Sequence, residues 1–149
     1  MRRARLICCA LAACSLMPVT PAQARSRGQM VRAINHSREI RGLAPLAVSN
    51  ELRNSSRSHA GWMISTGFFG HHATVRTSAA FRCVGEVLSM HDGTRARVHT
   101  TLRAWLRSPT HRAVLLNPIF RNVGAGRASG PFKGRPSTMW TVHLGCPRQ

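Results

Sequence analysis

Carboxylates are nearly missing from this sequence: Glu39, Glu51, Glu86 and Asp92 are the only acids among 149 residues. Lysine is nearly missing too, since Lys133 is the single lysine among 22 basic residues and the rest are arginine. Neither HExxH nor CxxC occurs, so no local signature fixes a metal. No serine stands in GxSxG, which leaves nucleophilic catalysis without a nucleophile elbow. No glycine-rich loop opens a helix, which removes the usual nucleotide phosphate cradle. Repeats and low-complexity blocks are missing, so a chain of this length reads as one domain. Aromatic residues are not interleaved with the basic ones as a nucleic-acid stacking platform requires, and no specific nucleic-acid partner is expected.

What is present begins with an export signal. Arg2, Arg3 and Arg5 form a basic end, Leu6 to Val19 an apolar middle, and Ala22-Gln23-Ala24 a small-residue cleavage site. The apolar run is too short to span a membrane comfortably. The expected division is therefore a signal peptide over 1–24 and a mature domain over 25–149, periplasmic or extracellular. Leu11-Ala12-Ala13-Cys14 also fits a lipobox, and acylation at Cys14 is the minority alternative. Cleavage after Ala24 removes three arginines and no acid, so the formal charge of +18 falls to +15 over 125 residues. Such a surface adheres to anionic polymers, and for an exported chain those are envelope polymers or lipid; a solvated arginine surface is the plain alternative. Cys83 and Cys146 are the only cysteines left. An oxidising compartment favours a bridge between them over two buried thiols.

Periodicity organises the mature chain as helices first and a hairpin last, an α+β pattern. A helix is expected over 26–41 with Gly42 as its stop, then an extended Leu43-Ala44-Pro45-Leu46, since residues before proline avoid helix. Ser49 caps a second helix that places Leu52, Ser56, His59 and Met63 on one face and closes at Gly67. The segment 68–80 reads as loop, and 84–90 is ambiguous between strand and helical turn. A third helix is expected over 94–107. Ser108-Pro109 opens a short fourth one that Asn117-Pro118 ends. Strands are expected over 122–128 and 138–144, with Gly130 to Pro136 as a wide turn between them. In the last strand Trp140, Val142 and Leu144 alternate with Met139, Thr141 and His143, a half-buried pattern.

Eight histidines are many beside four acids. His59 lies on an apolar helical face and reads as a hydrogen-bonded core residue. Glu86, surrounded by so many arginines, has an arginine partner as its default. His36, His91 and His99 read as surface residues. His143 falls between apolar neighbours on the opposite face of its strand. His111 stands in the first turn of a helix, where the partial positive charge of the backbone disfavours imidazolium. A neutral ring there can be a base, a metal ligand or a packed side chain. His71, Glu86 and His111 lie on separate segments and can meet only through the fold.

The order of motifs resembles the short bacterial branch of the CAP superfamily, named for cysteine-rich secretory proteins, antigen 5 and pathogenesis-related proteins. Asn35 to Arg38 with Gly42-Leu43-Ala44-Pro45-Leu46 is similar to its opening "N..R...GL.PL", and Gly67-Phe68-Phe69-Gly70-His71 to "GFFSH". Gly85-Glu86-Val87 stands for "GEN", and Trp105 to Arg112 for "W..SPGHR", followed by Leu116-Asn117-Pro118 and Val123 to Gly126. The resemblance implies an α-β-α sandwich with a small antiparallel sheet between helices. It implies a cleft carrying His71, Glu86 and His111, with His72 as the adjacent competitor of His71. In many members these groups can hold a divalent metal, commonly zinc, and here the metal positions would be His71 and His111. The asparagine of "GEN" is Val87 here, the glycine of "SPGH" is Thr110, and the second glutamate of eukaryotic members would fall on Ser108. The expected function is an exported binding module with that cleft and a basic surface for an anionic envelope polymer or lipid. The alternative is a metal-dependent hydrolase that uses the same cleft, with Glu86 as base.

Overall fold

The computed structural model describes residues 20–71 and 80–148. The basic and apolar parts of the expected export signal, Cys14 and His72 lie outside the described residues. The elements run α1 Pro21–Glu39, β1 Ala47–Val48, α2 Asn50–Thr66, β2 Phe81–Asp92, α3 Val98–Arg107, α4 Pro109–Leu115, β3 Asn122–Phe132 and β4 Arg135–Pro147. The sheet order is β1-β3-β4-β2, antiparallel except for the short parallel β1·β3 pair.

Local chemistry sets most helix ends. Helix α1 starts earlier than 26 because Thr20 and Gln23 form a reciprocal capping box with Pro21 in the first turn. It ends where Leu43 N–H donates to Arg38 O and Gly42 N–H to Glu39 O, the paired closure of a Schellman motif. Ser49 Oγ accepts from Leu52 N–H at the start of α2, and Gly67 closes it in the left-handed region at φ 66°. Helix α3 begins at Val98, after Arg97 at φ 46°, and not at Thr94. The buried Arg38 ties α4 to α1: its Nε donates to Ala44 O at 3.0 Å, and Nη1 to Leu115 O at 2.8 Å and Asn117 O at 3.1 Å.

Two apolar layers flank the sheet. Met30 and Ile34 of α1 pack with Val98, Leu102 and Trp105 of α3 against Val87, Val123, Ala125, Trp140, Val142 and Leu144. On the other face Ala60 and Met63 of α2 meet Leu88, Met139 and Phe132. Strand β4 is therefore covered on both faces, and the half-buried reading of its alternation is corrected: Met139, Thr141 and His143 are as buried as Trp140, Val142 and Leu144. The ambiguous 84–90 segment is the centre of a twelve-residue strand, β2. The wide turn expected over 130–136 is also corrected. Strands β3 and β4 stay paired to Phe132↔Arg135, and Lys133 and Gly134 alone turn the chain, at φ 49° and 80°. Positive φ at both positions is what a type I′ hairpin requires, and glycine meets it without steric cost.

Helix α2 lies unusually close to β3. A Cβ on Gly124 would stand 2.1 Å from the Arg53 nitrogen, and one on Gly126 2.0 Å from the Ser56 oxygen. Ser56 uses this approach to join the sheet: its Oγ accepts from His143 N–H at 3.2 Å and donates to Gly124 O at 2.9 Å. A disulfide between Cys83 and Cys146, a cross-strand pair of β2 and β4, closes the other side of the sheet.

Candidate functional site

The site grows from one register. Glu86 on β2 stands directly opposite His143 on β4, which in turn stands opposite Gly124 on β3. Alternation sends Val87 into the α1·α3 layer and Leu88 into the α2 layer, so Glu86 shares the α2 face. Helix α2 presents His59 from the same buried face as Ser56, Ala60 and Met63.

Three imidazoles converge on the carboxylate. Glu86 Oε2 accepts from His59 Nδ1 at 2.6 Å and from His143 Nε2 at 2.7 Å, and Oε1 accepts from His71 Nδ1 at 2.6 Å. The side chains of Glu86, His59 and His143 are 5, 8 and 2% exposed, whereas that of His71 is 65% exposed and forms the mouth. The partners of Glu86 are therefore imidazoles and not the arginine expected by default. Burial alone would raise its pKa, but the hydrogen bonds from His143 and His71, with the charges of His143 and His59, bring it down to about 2. The outer nitrogens are held as well: His143 Nδ1 lies 2.7 Å from Ser55 Oγ, and His59 Nε2 lies 3.2 Å from Gly70 O. Both His59 nitrogens thus lie against oxygen atoms of the protein.

His111 is near this group without bonding to Glu86. Its Nδ1 lies 2.8 Å from Ser108 Oγ, so the N-cap serine of α4 holds a ring and makes no side-chain bond to the helix backbone. Burial first, and the charge of His71 second, lower its pKa from the usual histidine value. Of the sequence-derived trio, His71 and Glu86 are bonded, and His111 stands within electrostatic reach of His71. His59 and His143, read from sequence as a core residue and a strand-face residue, complete the cluster. The available signal was a histidine on a buried helix face and another on a buried strand face, with one carboxylate between them. His36 and His99 are exposed and His91 is half-buried.

The donor set can hold a metal ion. One ligand atom from each of His59, Glu86 and His143 lies within 4.8 Å of the other two. Two imidazoles and a carboxylate match the ligand types of zinc, and outer-nitrogen bonds such as those to Gly70 and Ser55 are the second shell that orients metal-binding histidines. His71 and His111 have the same tethered form, each anchored through Nδ1.

A small sheet closed between helices on both faces, with histidines gathered on one strand carboxylate beneath α2, defines an α-β-α sandwich domain. The chain belongs to the CAP (cysteine-rich secretory protein) family, whose sequence model matches residues 31–144. An uncharacterized Bacillus subtilis protein, YkwD, is 27% identical over 107 residues, 66% of this chain and 40% of that protein, so the chain spans about two-fifths of its relative's length. Among solved structures, an outer surface protein of Borrelia burgdorferi superposes with a TM-score of 0.70 at 18% identity, over 83% of this chain and 94% of that one. An extracellular SCP-domain protein of Bacillus anthracis gives 0.66 at 20% identity, over 86% of this chain and 44% of that one. At these identities the structural likeness speaks for the fold.

Proposed function

We propose that this protein is an exported, non-catalytic binding module that attaches through its arginine surface to an anionic envelope polymer or lipid. The saturation of Glu86 carries the non-catalytic reading. Both carboxylate oxygens already accept imidazole N–H groups at 2.6–2.7 Å, and the pKa of the group is held at about 2. A general base works best with a pKa near the operating pH, so Glu86 is poorly suited to activate water for hydrolysis. Export is supported by the leader pattern at 1–24 and by relatives described as extracellular or outer-surface proteins. The cleft of His71, Glu86 and His111 serves as a recognition groove, in which Glu86 fixes His71 and Ser108 fixes His111. A divalent ion such as zinc is proposed at His71 and His111 at the mouth, and the His59, Glu86 and His143 group is the inner alternative. When bound, the ion would supply Lewis acidity to a ligand group in the groove.

The test pairs two measurements on one preparation. Sedimentation with phosphatidylglycerol vesicles should fall steeply with added salt and be unchanged in Glu86→Gln; salt-independent association would refute the electrostatic reading. Zinc calorimetry should show binding with proton release that is lost in His71→Ala and His111→Ala. Loss in His59→Ala and His143→Ala alone would move the ion to the inner group. Metal-dependent turnover of any substrate that Glu86→Gln abolishes would overturn the module reading in favour of a hydrolase.

A further inference from the structure

Arg27 is one turn before Met30 on the core-facing side of α1 and is only 9% exposed. Among the described residues its guanidinium has no hydrogen-bond or ion-pair partner. Its nitrogens are nevertheless not sealed off, because none of them is among the buried polar atoms left without a partner. The charges felt most strongly by Arg27 are those of Arg57 and Arg53, and burial and both of these repulsions destabilise its charged form. A buried cation beside two more cations is a costly arrangement unless an anion completes it.

The fold explains how arginines from opposite layers meet. Strand β1 pairs only with Asn122 and Val123, so from Gly124 onward β3 has no neighbour on that side among the described residues. Helix α2 lies on one face of this strand, with the backbone nitrogen of Arg53 over Gly124 and that of Arg57 over Gly126. Helix α1 packs Met30 and Ile34 on the other face of the same strand, with Val123 and Ala125. Arg53 and Arg57 are one turn apart on α2, exposed and half-buried respectively, and their charges reach the more deeply buried Arg27 from the other side of the same strand. The acid on this stretch of α2, Glu51, is engaged by Ser49 Oγ at 2.6 Å.

We propose that Arg27, Arg53 and Arg57 form a seat for a phosphate-type oxyanion at the β3 edge, separate from the histidine cleft. It rests on the anionic-partner reading above and gives that partner a place and a chemistry. Guanidinium forks match phosphate oxygens in pairs, which lysines do not. The shared ligand chemistry is a phosphate group, carried by a lipid headgroup or free in solution.

The experiment measures pyrophosphate binding to the full chain at fixed ionic strength, with the thermal midpoint read alongside. The variants are Arg27→Met and the pair Arg53→Gln/Arg57→Gln; the charge-matched control is the exposed α3 pair Arg103→Gln/Arg107→Gln. The site predicts a Kd raised about tenfold or more in both site variants and unchanged in the control, since each lost charge-assisted bond costs about a factor of ten. It further predicts that Arg27→Met melts higher than the parent without ligand and loses the upward shift that pyrophosphate gives the parent. Equal weakening in site and control variants, or Arg27→Met melting lower while still binding, would overturn the site. Vesicles of phosphatidylglycerol in phosphatidylcholine, against phosphatidylcholine alone, distinguish the sources: binding lost in the site variants assigns a lipid headgroup, and vesicle binding retained while pyrophosphate binding is lost assigns a free phosphate. Salt-sensitive vesicle binding reduced equally by every pair would defeat this site and leave the general reading standing. No vesicle or pyrophosphate binding by the parent would defeat both.

Discussion

Replacing Glu86 by Gln removes the charge around which three histidines are arranged, and its consequence depends on pH. An ordinary glutamate titrates near ~4.3, and Glu86 is held at about 2. A carboxyl with a depressed folded-state pKa contributes stability that is fully present above the unfolded value and is lost as pH falls through the folded one. A depression of this size corresponds to about 3 kcal/mol, in the range for breaking a buried ion pair. Urea denaturation of the parent and of Glu86→Gln should therefore differ by about 3 kcal/mol at pH 7, and the gap should begin to close below about pH 4.5 and nearly vanish at pH 2. The comparison cancels the contributions of the other three acids. A gap that stays constant from pH 7 to pH 2 would refute the argument, because the cost of the substitution would then owe nothing to the carboxylate charge.

Two further outcomes follow from the packing. Gly126→Ala places a Cβ 2.0 Å from the Ser56 carbonyl oxygen, a backbone atom that cannot swing aside, so chemical denaturation should show a loss of about 3 kcal/mol or no folded protein at all; a loss below about 1 kcal/mol would mean that α2 floats on the sheet. Replacing Cys83 and Cys146 together by Ser opens a loop with a sequence separation of 63 residues. The chain-entropy relation puts the destabilisation at about 4 kcal/mol, measurable as a lowered urea midpoint with a somewhat larger m-value, because the uncrosslinked denatured chain exposes more surface.

Helix ends are legible where each is fixed within a few residues: Ser49 and Gly67 bracket α2 just where the side-chain cap and the left-handed closure fall. The start of α1 escapes a sequence reading because Thr20-Pro21-Ala22-Gln23 carries a capping box within the stretch read as the end of an export signal. The hairpin turn is hidden because Pro131 and Pro136 look like loop residues, yet they stand opposite each other in register near the end of the ladder. The disulfide is legible from cysteine count and the expectation of export, and the register of β2 on β4 supplies the geometry. The cleft is legible only as far as Glu86, His71 and His111, through resemblance to a family pattern. The junction of Glu86 with His143 depends on how far two strands slide past each other before they pair, and His59 joins them only because two glycines let a helix descend onto the sheet.

The Ser56 hydroxyl makes one amide proton a reporter of assembly. His143 N–H, in the middle of the β4 ladder, also donates to an atom of α2, and Gly124 O accepts from that same hydroxyl. Lifting α2 away strips the sheet of a partner at the row that also carries Glu86. Hydrogen exchange at His143 consequently reports the docking of α2 as well as the pairing of the sheet, and lifting α2 lowers its protection relative to its neighbours on β4.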